Sequence, residues 1–424
     1  MIVSCDTPGL LPISQALNAM RAAISAVQEQ ELCSLMQARG RTLAEDVISQ
    51  VNVPPSDNSA MDGYAMVAAD LQDTDSLKLI GAAYAGIPFA GSVSKGQCVR
   101  IMTGAIIPAG ADAVVMQENT SELASPSKTS TADEHQHKII QFTQRPKLGN
   151  SVRKAGEDIT QGAVVLNKGT RLLPSHLSLL ASVGIANVSV VRKLNVGLIA
   201  TGDELVSPGE ALKAGQIYES NRYALHAMLQ EFGANIIDFG IVEDKLDSLQ
   251  RTFADADRQC DMVLSCGGVS VGDADYVKEV LQTLGSVNFW KVAIKPGKPF
   301  AFGKLSQAWF CGLPGNPVSS YVTFEQLVKP VLETLSGQTR RPALLLNATA
   351  DCDIRKAPGR ADYQRGIYRL DSNGELFVSP NGKQGSGVMS SIAHANCYIV
   401  LPQDTGSIEQ GSTVQIQPFT SLAY

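Results

Sequence analysis

The sequence lacks several things that would fix a function at once. No run approaches the roughly eighteen apolar residues needed to span a bilayer, and net charge is -6, so there is no overall basic attraction for nucleic acid or an anionic membrane. The eight cysteines are scattered without a Cys-x-x-Cys pair, which argues against a zinc site or a disulfide framework and for reduced core thiols. The five histidines, at 135, 137, 176, 226 and 394, stand away from every glycine-rich turn, so histidine acid-base catalysis is not expected. No nucleophile elbow, Ser/His/Asp arrangement, Rossmann fingerprint, P-loop or fixed-period repeat is present. The start, Met-Ile-Val-Ser-Cys-Asp, has no basic segment followed by an apolar core, and a cytoplasmic protein without a targeting segment is expected.

What is there has the proportions of a soluble globular protein, 44% hydrophobic and 18% charged, with 424 residues favouring two to four domains. A first helix is expected from Ser14 as N-cap, with Leu17, Met20, Ile24 and Val27 on one face. Paired prolines at 54 and 55 lead into a constrained turn that contains Asp62, on local grounds a turn-former. Residues 77–141 read as β-rich, interrupted by a polar hairpin loop over 121–138 whose His135 and His137 lack a third ligand. A helix over 174–183, stopped by Gly184, and a strand over 188–191 follow.

From 194 to 335 apolar runs alternate with helical patterns, which predicts a parallel α/β sheet covered on both faces. The expected strands are 196–200, 236–242, 262–264, 292–294 and 309–311. Beyond 338 short β runs with Gly and Asn turns suggest a small barrel or sandwich. The expected domains are 1–55 with 154–193 (an elongated linking domain), 56–153 (an inserted β-rich domain), 194–335 (α/β) and 336–424 (a C-terminal β-barrel).

Ligands of open parallel sheets lie beyond the carboxyl ends of the strands, and there the polar residues gather. Thr201, Gly202, Asp203 and Glu204 follow the first strand, and Glu243 and Asp244 the second. The third runs into a turn bearing Gly267, Gly268, Ser270, Gly272, Asp273 and Asp275, whose glycines suit either an anion cradle or a purely structural turn. Residues 295–299 and 312–317 complete the set. Glu204, Asp244 and Asp275 are hard oxygen ligands of the kind that hold magnesium beside phosphates; Lys291, Lys295 and Lys298 supply counter-charge. That combination suits a metal-assisted phosphate reaction. The plainer alternative is a set of helix caps and surface ion pairs.

Residues 201–205, 218–221, 265–276, 295–299 and 312–317 resemble the molybdopterin-binding domain family. Residues 58–64, 100–105, 156–159 and 364–366 further resemble its molybdopterin molybdenumtransferase type, also found as the E domain of gephyrin, so that the likeness runs in order along nearly the whole chain. It implies insertion of molybdate into adenylyl-molybdopterin, with magnesium-dependent cleavage of the phosphoanhydride, release of AMP and formation of molybdenum cofactor. It also implies a homodimer whose cleft pairs the α/β domain of one subunit with the second domain of the other. The catalytic positions it implies are Asp62, Thr103, Asp158, Glu204, Asp244, Asp275, Lys291 and Lys295, with Glu204, Asp244 and Asp275 as metal ligands. Substrate-binding positions are Thr201, Gly202, Asp203, Ser220, Gly267, Gly268, Ser270, Gly272, Lys298, Pro314, Gly315 and Asn316, together with Arg365 and Ser386, whose guanidinium and hydroxyl suit an oxyanion. Implied hand-over partners are molybdopterin adenylyltransferase and molybdoenzyme maturation proteins. Two other readings are an adenylyltransferase, which would resemble the α/β segment alone, and a gephyrin-like dimeric scaffold.

Overall fold

A computed structural model of the chain describes residues 9–123, 138–267 and 276–419. Most of the polar loop over 121–138, including both its histidines, lies outside that range. The first helix, Ile13–Ala23, begins before the expected cap: Pro12 occupies the N-cap and Ser14 is an exposed residue inside the helix. Its predicted face is nevertheless the buried one. Leu17, Met20, Ile24 and Val27 all join the large core cluster of the α/β sheet, where the helix meets Lys329–Leu335.

The segments on either side of the β-rich region pair with each other. Gln30–Ser34 runs antiparallel to Asn187–Val191, Val47–Ile48 to Val164–Leu166, and Asn58–Ser59 to Val152–Arg153. Helix Pro174–Ser182 packs Leu177 and Leu180 into the small core this creates. Between them stands a six-stranded sheet in the order Ala113–Met116, Gly63–Met66, Gln97–Ile101, Ser76–Ala83, Ile139–Phe142, Thr120–Leu123. Its two faces bury separate clusters, Met66 and Val115 on one side and Ala65 and Val114 on the other, as the two-residue period of a strand requires.

The α/β unit contains β1 (Asn195–Thr201), α1 (Asn221–Phe232), β2 (Asn235–Val242), α2 (Leu246–Gln259), β3 (Met262–Cys266), α3 (Tyr276–Leu284), β4 (Ser286–Lys291), β5 (Pro299–Lys304), β6 (Trp309–Leu313) and α4 (Pro317–Thr323). The strand order is β2-β1-β3-β6-β5-β4. Strands β2, β1, β3 and β6 are parallel, whereas β5 and β4 are antiparallel additions at one edge. Successive residues of one strand enter different cores: Val196 and Leu198 pack with α1, Ile199 with α2. That is why these strands read as unbroken apolar runs.

The expected strand over 292–294 is corrected. Its place is taken by β4, and Ile294–Lys295 instead pairs in parallel with Ala361–Asp362 of the C-terminal domain. That domain is a closed five-stranded barrel. Ala361–Leu370 pairs with Leu376–Pro380 and Cys397–Leu401, and Leu346–Ala350 and Thr413–Pro418 close the ring.

Candidate functional site

The carboxyl ends of β1, β3 and β6 open into a cavity of about 410 Å³, lined by Thr201, Glu204, Leu205, Ile217, Glu219, Asn221, Cys266, Gly267, Pro299, Pro314, Gly315, Asn316 and Ser319. Thr201 closes β1 with a hydroxyl that is buried and has no partner. Gly267 follows β3 at φ +92, and a Cβ there would lie 2.6 Å from the Thr201 carbonyl oxygen. Only glycine lets the two backbones approach this closely. Asn221, the first residue of α1, donates from Nδ2 to the Gly315 carbonyl at 2.7 Å, while its Oδ1 is buried without a partner. The cavity therefore meets the N-terminal end of a twelve-residue helix and a free Thr201 hydroxyl able to donate, a setting suited to an anion, while Asn221 Oδ1 is left as an acceptor for a donor group.

Sequence reasoning named Ser220 and passed over its neighbours. Ser220 is exposed, its side chain makes no capping bond, and it does not line the cavity; Glu219 and Asn221 do. Glu219 is buried, its Oε1 accepting from the Arg222 N–H at 2.7 Å and its Oε2 standing 3.5 Å from Arg222 Nε. The signal for Glu219 and Asn221 was their place in the run 218–221 that carries the family resemblance, from which only Ser220 was singled out. Cys266 was also missed as a lining residue. Burial, helped by Glu219, pushes its thiol up to about 12, which makes it a wall rather than a nucleophile.

Beside the cavity stand three carboxylates. Asp203 is exposed, and its Oδ1 accepts from the Asp244 N–H at 3.2 Å. Burial first, then the charges of Asp203 and Glu204, hold the Asp244 carboxyl above the ordinary aspartate range, and its Oδ1 has no partner. Glu204 folds back over Gly202, where a Cβ would lie 2.7 Å from Oε2. Hard oxygens, mutual repulsion and an unsatisfied buried acceptor are the chemistry that a hard divalent cation offsets, and at most two of these side chains would contribute to one ion. Among the described residues no three His, Cys, Asp or Glu side chains converge as a closed metal site. The expected third ligand, Asp275, lies outside the described residues, as do Gly268, Ser270, Gly272 and Asp273.

Of the lysines, Lys291 ends β4 and is exposed, as is Lys298. Lys295 Nζ is 3.0 Å from Asp362 Oδ2 of the barrel. Ser386 does not line the cavity; its carbonyl accepts from the Val318 N–H in the first turn of α4 at 3.0 Å, next to Ser319, which does. Arg365 does not line the cavity. It is fully buried in the barrel, with Nε donating to Ser391 Oγ at 3.1 Å, Nη1 to the Tyr363 carbonyl at 3.2 Å and Nη2 unpartnered. Burial lowers its pKa.

Asp62 and Thr103 form a separate pair on the β-rich sheet. Asp62 Oδ1 accepts from both the N–H and the hydroxyl of Thr103, each at 2.7 Å, and these bonds lower its pKa. Asp158 is exposed, on the turn whose N–H donates to the Val53 carbonyl at 3.0 Å.

Three family models match in order: the MoeA N-terminal region (domain I and II) over residues 11–184, a probable molybdopterin binding domain over 197–334, and the MoeA C-terminal region (domain IV) over 347–419. The molybdopterin molybdenumtransferase of Haemophilus influenzae is 45% identical over 414 residues, covering 97% of this chain and 100% of that one. Its counterpart from Bacillus subtilis is 36% identical, covering 96% and 93%. The crystal structure of the molybdopterin biosynthesis moeA protein from Pyrococcus horikoshii superposes with a TM-score of 0.82 at 30% identity, covering 97% of this chain and 100% of that one. Such likeness spans every domain described above, and the chain belongs to the molybdopterin molybdenumtransferase family.

Proposed function

We propose that this enzyme of molybdenum cofactor biosynthesis inserts molybdate into adenylyl-molybdopterin, cleaving the phosphoanhydride and releasing AMP. The observation that carries the reading is the cavity at the ends of β1, β3 and β6, where the unpartnered Thr201 hydroxyl and the N-terminal end of α1 adjoin the self-repelling carboxylates Asp203, Glu204 and Asp244. Thr201, the Gly315 backbone and Asn316 bind and orient the phosphate end of the substrate, with Gly267 leaving room for it. Lys291, Lys295 and Lys298 offset the charge that develops as the anhydride opens. Magnesium held by Glu204, Asp244 and Asp275 would supply Lewis-acid charge to phosphate oxygens.

Molybdate is assigned to the barrel side of the site, at Ser386. Arg365 supports this side from beneath: its carbonyl accepts from Gln384 Nε2 at 3.0 Å and its N–H donates to Gln384 Oε1 at 2.8 Å, bracing the chain that leads to Ser386. Asp62, Thr103 and Asp158 serve the cleft of a partner subunit in a homodimer. In support, Leu32 and Met36 of the linking region are 76% and 94% exposed, apolar surface that a second copy would cover. No helix among the described residues is long and apolar enough to cross a membrane; the proposed setting is the cytoplasm.

The test is to incubate the purified protein with adenylyl-molybdopterin, magnesium and molybdate and to follow AMP. Molybdate-dependent AMP release is expected. Consumption of ATP on molybdopterin, without AMP release from the adenylylated form, would overturn the reading.

A further inference from the structure

Asp362 is a buried carboxylate, 2% exposed, on a barrel strand outside the candidate cavity. A carboxylate taken out of water is costly unless it is paired and hydrogen-bonded. Both conditions hold. Asp362 Oδ2 accepts from Lys295 Nζ at 3.0 Å and from Gln364 Nε2 at 3.1 Å, and Gln364 Nε2 is itself anchored to the Arg355 carbonyl at 2.8 Å.

The backbone makes the contact rigid. Lys295 and Asp362 are direct partners in the parallel pairing of Ile294–Lys295 with Ala361–Asp362, and the Ala361 N–H donates to the Ala293 carbonyl at 2.8 Å. Lys295 lies between these two environments, its side chain 41% exposed while that of Asp362 is 3% exposed. A lysine carries its charge on a flexible four-carbon stem with three donors. With one donor tied to a fixed, buried oxygen, two donors of a part-exposed ammonium remain for other partners.

We propose that Asp362, held by Gln364, is a positioning residue that fixes the Lys295 ammonium for the reaction. The inference rests on the reading above in which Lys295 acts on the anhydride. It gives the barrel a second role in the site, since the strand that carries Asp362 also carries Arg365. The competing role is structural. Asp362 lies close enough to Lys356 and Arg365 to favour their charged forms, so it could serve only to balance buried cations.

A double-mutant cycle separates the two roles. Asp362→Asn is expected to lower kcat for molybdate-dependent AMP release by about 10- to 100-fold, with KM for adenylyl-molybdopterin within about two-fold and the melting temperature near that of the parent. On a Lys295→Ala background the same substitution should change the rate by less than about two-fold, because its effect passes through the missing ammonium. Equal losses in both backgrounds would assign Asp362 to structure and overturn the inference, as would a wild-type rate for Asp362→Asn. A wild-type rate for Lys295→Ala would sink the assignment of Lys295 itself, and the inference with it. If Asp362→Asn does not fold, Gln364→Leu decides. It keeps both charges, and it must slow kcat in the parent and leave Lys295→Ala unchanged; any other pattern overturns the inference.

Discussion

Two acidic sites, one on the β-rich sheet and one at the edge of the α/β sheet, are built in opposite ways. Asp62 is satisfied from within its own domain: Thr103 supplies two short hydrogen bonds, and the carboxylate is favoured as the anion. Asp244 is the reverse, partly buried, facing Asp203 and Glu204, with one oxygen unpartnered and its charged form disfavoured. The first arrangement is complete as it stands. The second carries unrelieved like-charge repulsion that an added positive charge would offset, and it adjoins the cavity. On the proposed reading, cation and phosphate bind in the α/β half, and the Asp62 pair is a preformed surface offered to a ligand held elsewhere.

Removing a charge at each site is the most direct way to break that comparison, and the largest effect is expected at Asp244. Asp244→Asn should reduce molybdate-dependent AMP release by about 100-fold or more, while its melting temperature stays level or rises, because the substitution removes a repelled charge. AMP release and calorimetry on the same preparation check both halves. A marked fall in melting temperature would make Asp244 a structural residue and cancel the contrast. A smaller effect is expected from Gly267→Ala. A side chain at φ +92, 2.6 Å from the Thr201 carbonyl, should cost about 1–3 kcal/mol in urea unfolding. An unchanged midpoint would mean that the turn is free to relax, and the cavity floor less rigid than its geometry implies.

How far the sequence disclosed this arrangement depended on which force shaped each part. The sheet was legible where burial on both faces wrote apolar runs, as in residues 196–200. The run 292–294 misled because a short apolar stretch does not say what it pairs with. Its hydrogen bonds go to Lys298 nearby and to Leu11 and barrel strand Ala361–Leu370, which are remote in sequence, and not to a neighbouring strand of the α/β sheet. Thr201, Glu204, Gly315 and Asn316 were found because strand ends collect ligands, and they do line one cavity. Glu219 and Asn221 lie in the run 218–221 that carries the resemblance, but at a helix start their polar side chains did not stand out from Ser220. The full burial of Arg365 could not be read at all, since a guanidinium inside a barrel contradicts its composition and depends on Ser391 and Tyr363 to receive its donors.

The smallest expected effect sharpens the other half of the comparison. Thr103→Val keeps the backbone donor to Asp62 and removes the hydroxyl donor. The Asp62 pKa, now lowered by both bonds, should move back toward its ordinary value of 3.8. A carboxylate with a lowered folded-state pKa contributes stability that is present well above the unfolded value and is lost as pH falls through the folded one. The variant should therefore melt slightly below the parent at neutral pH, and the gap should close as pH falls below 3.8 and through the lowered value. The Asp244 site, whose pKa is raised, predicts the opposite sign. Its charge opposes folding at neutral pH, and relieving it in Asp244→Asn should give an advantage that disappears in acid. Melting curves of both variants from pH 7 to below pH 3 would show two differences of opposite sign converging toward zero. If both instead kept the same sign, the two sites would not differ in kind, and the α/β cluster would lose its claim to be waiting for a cation.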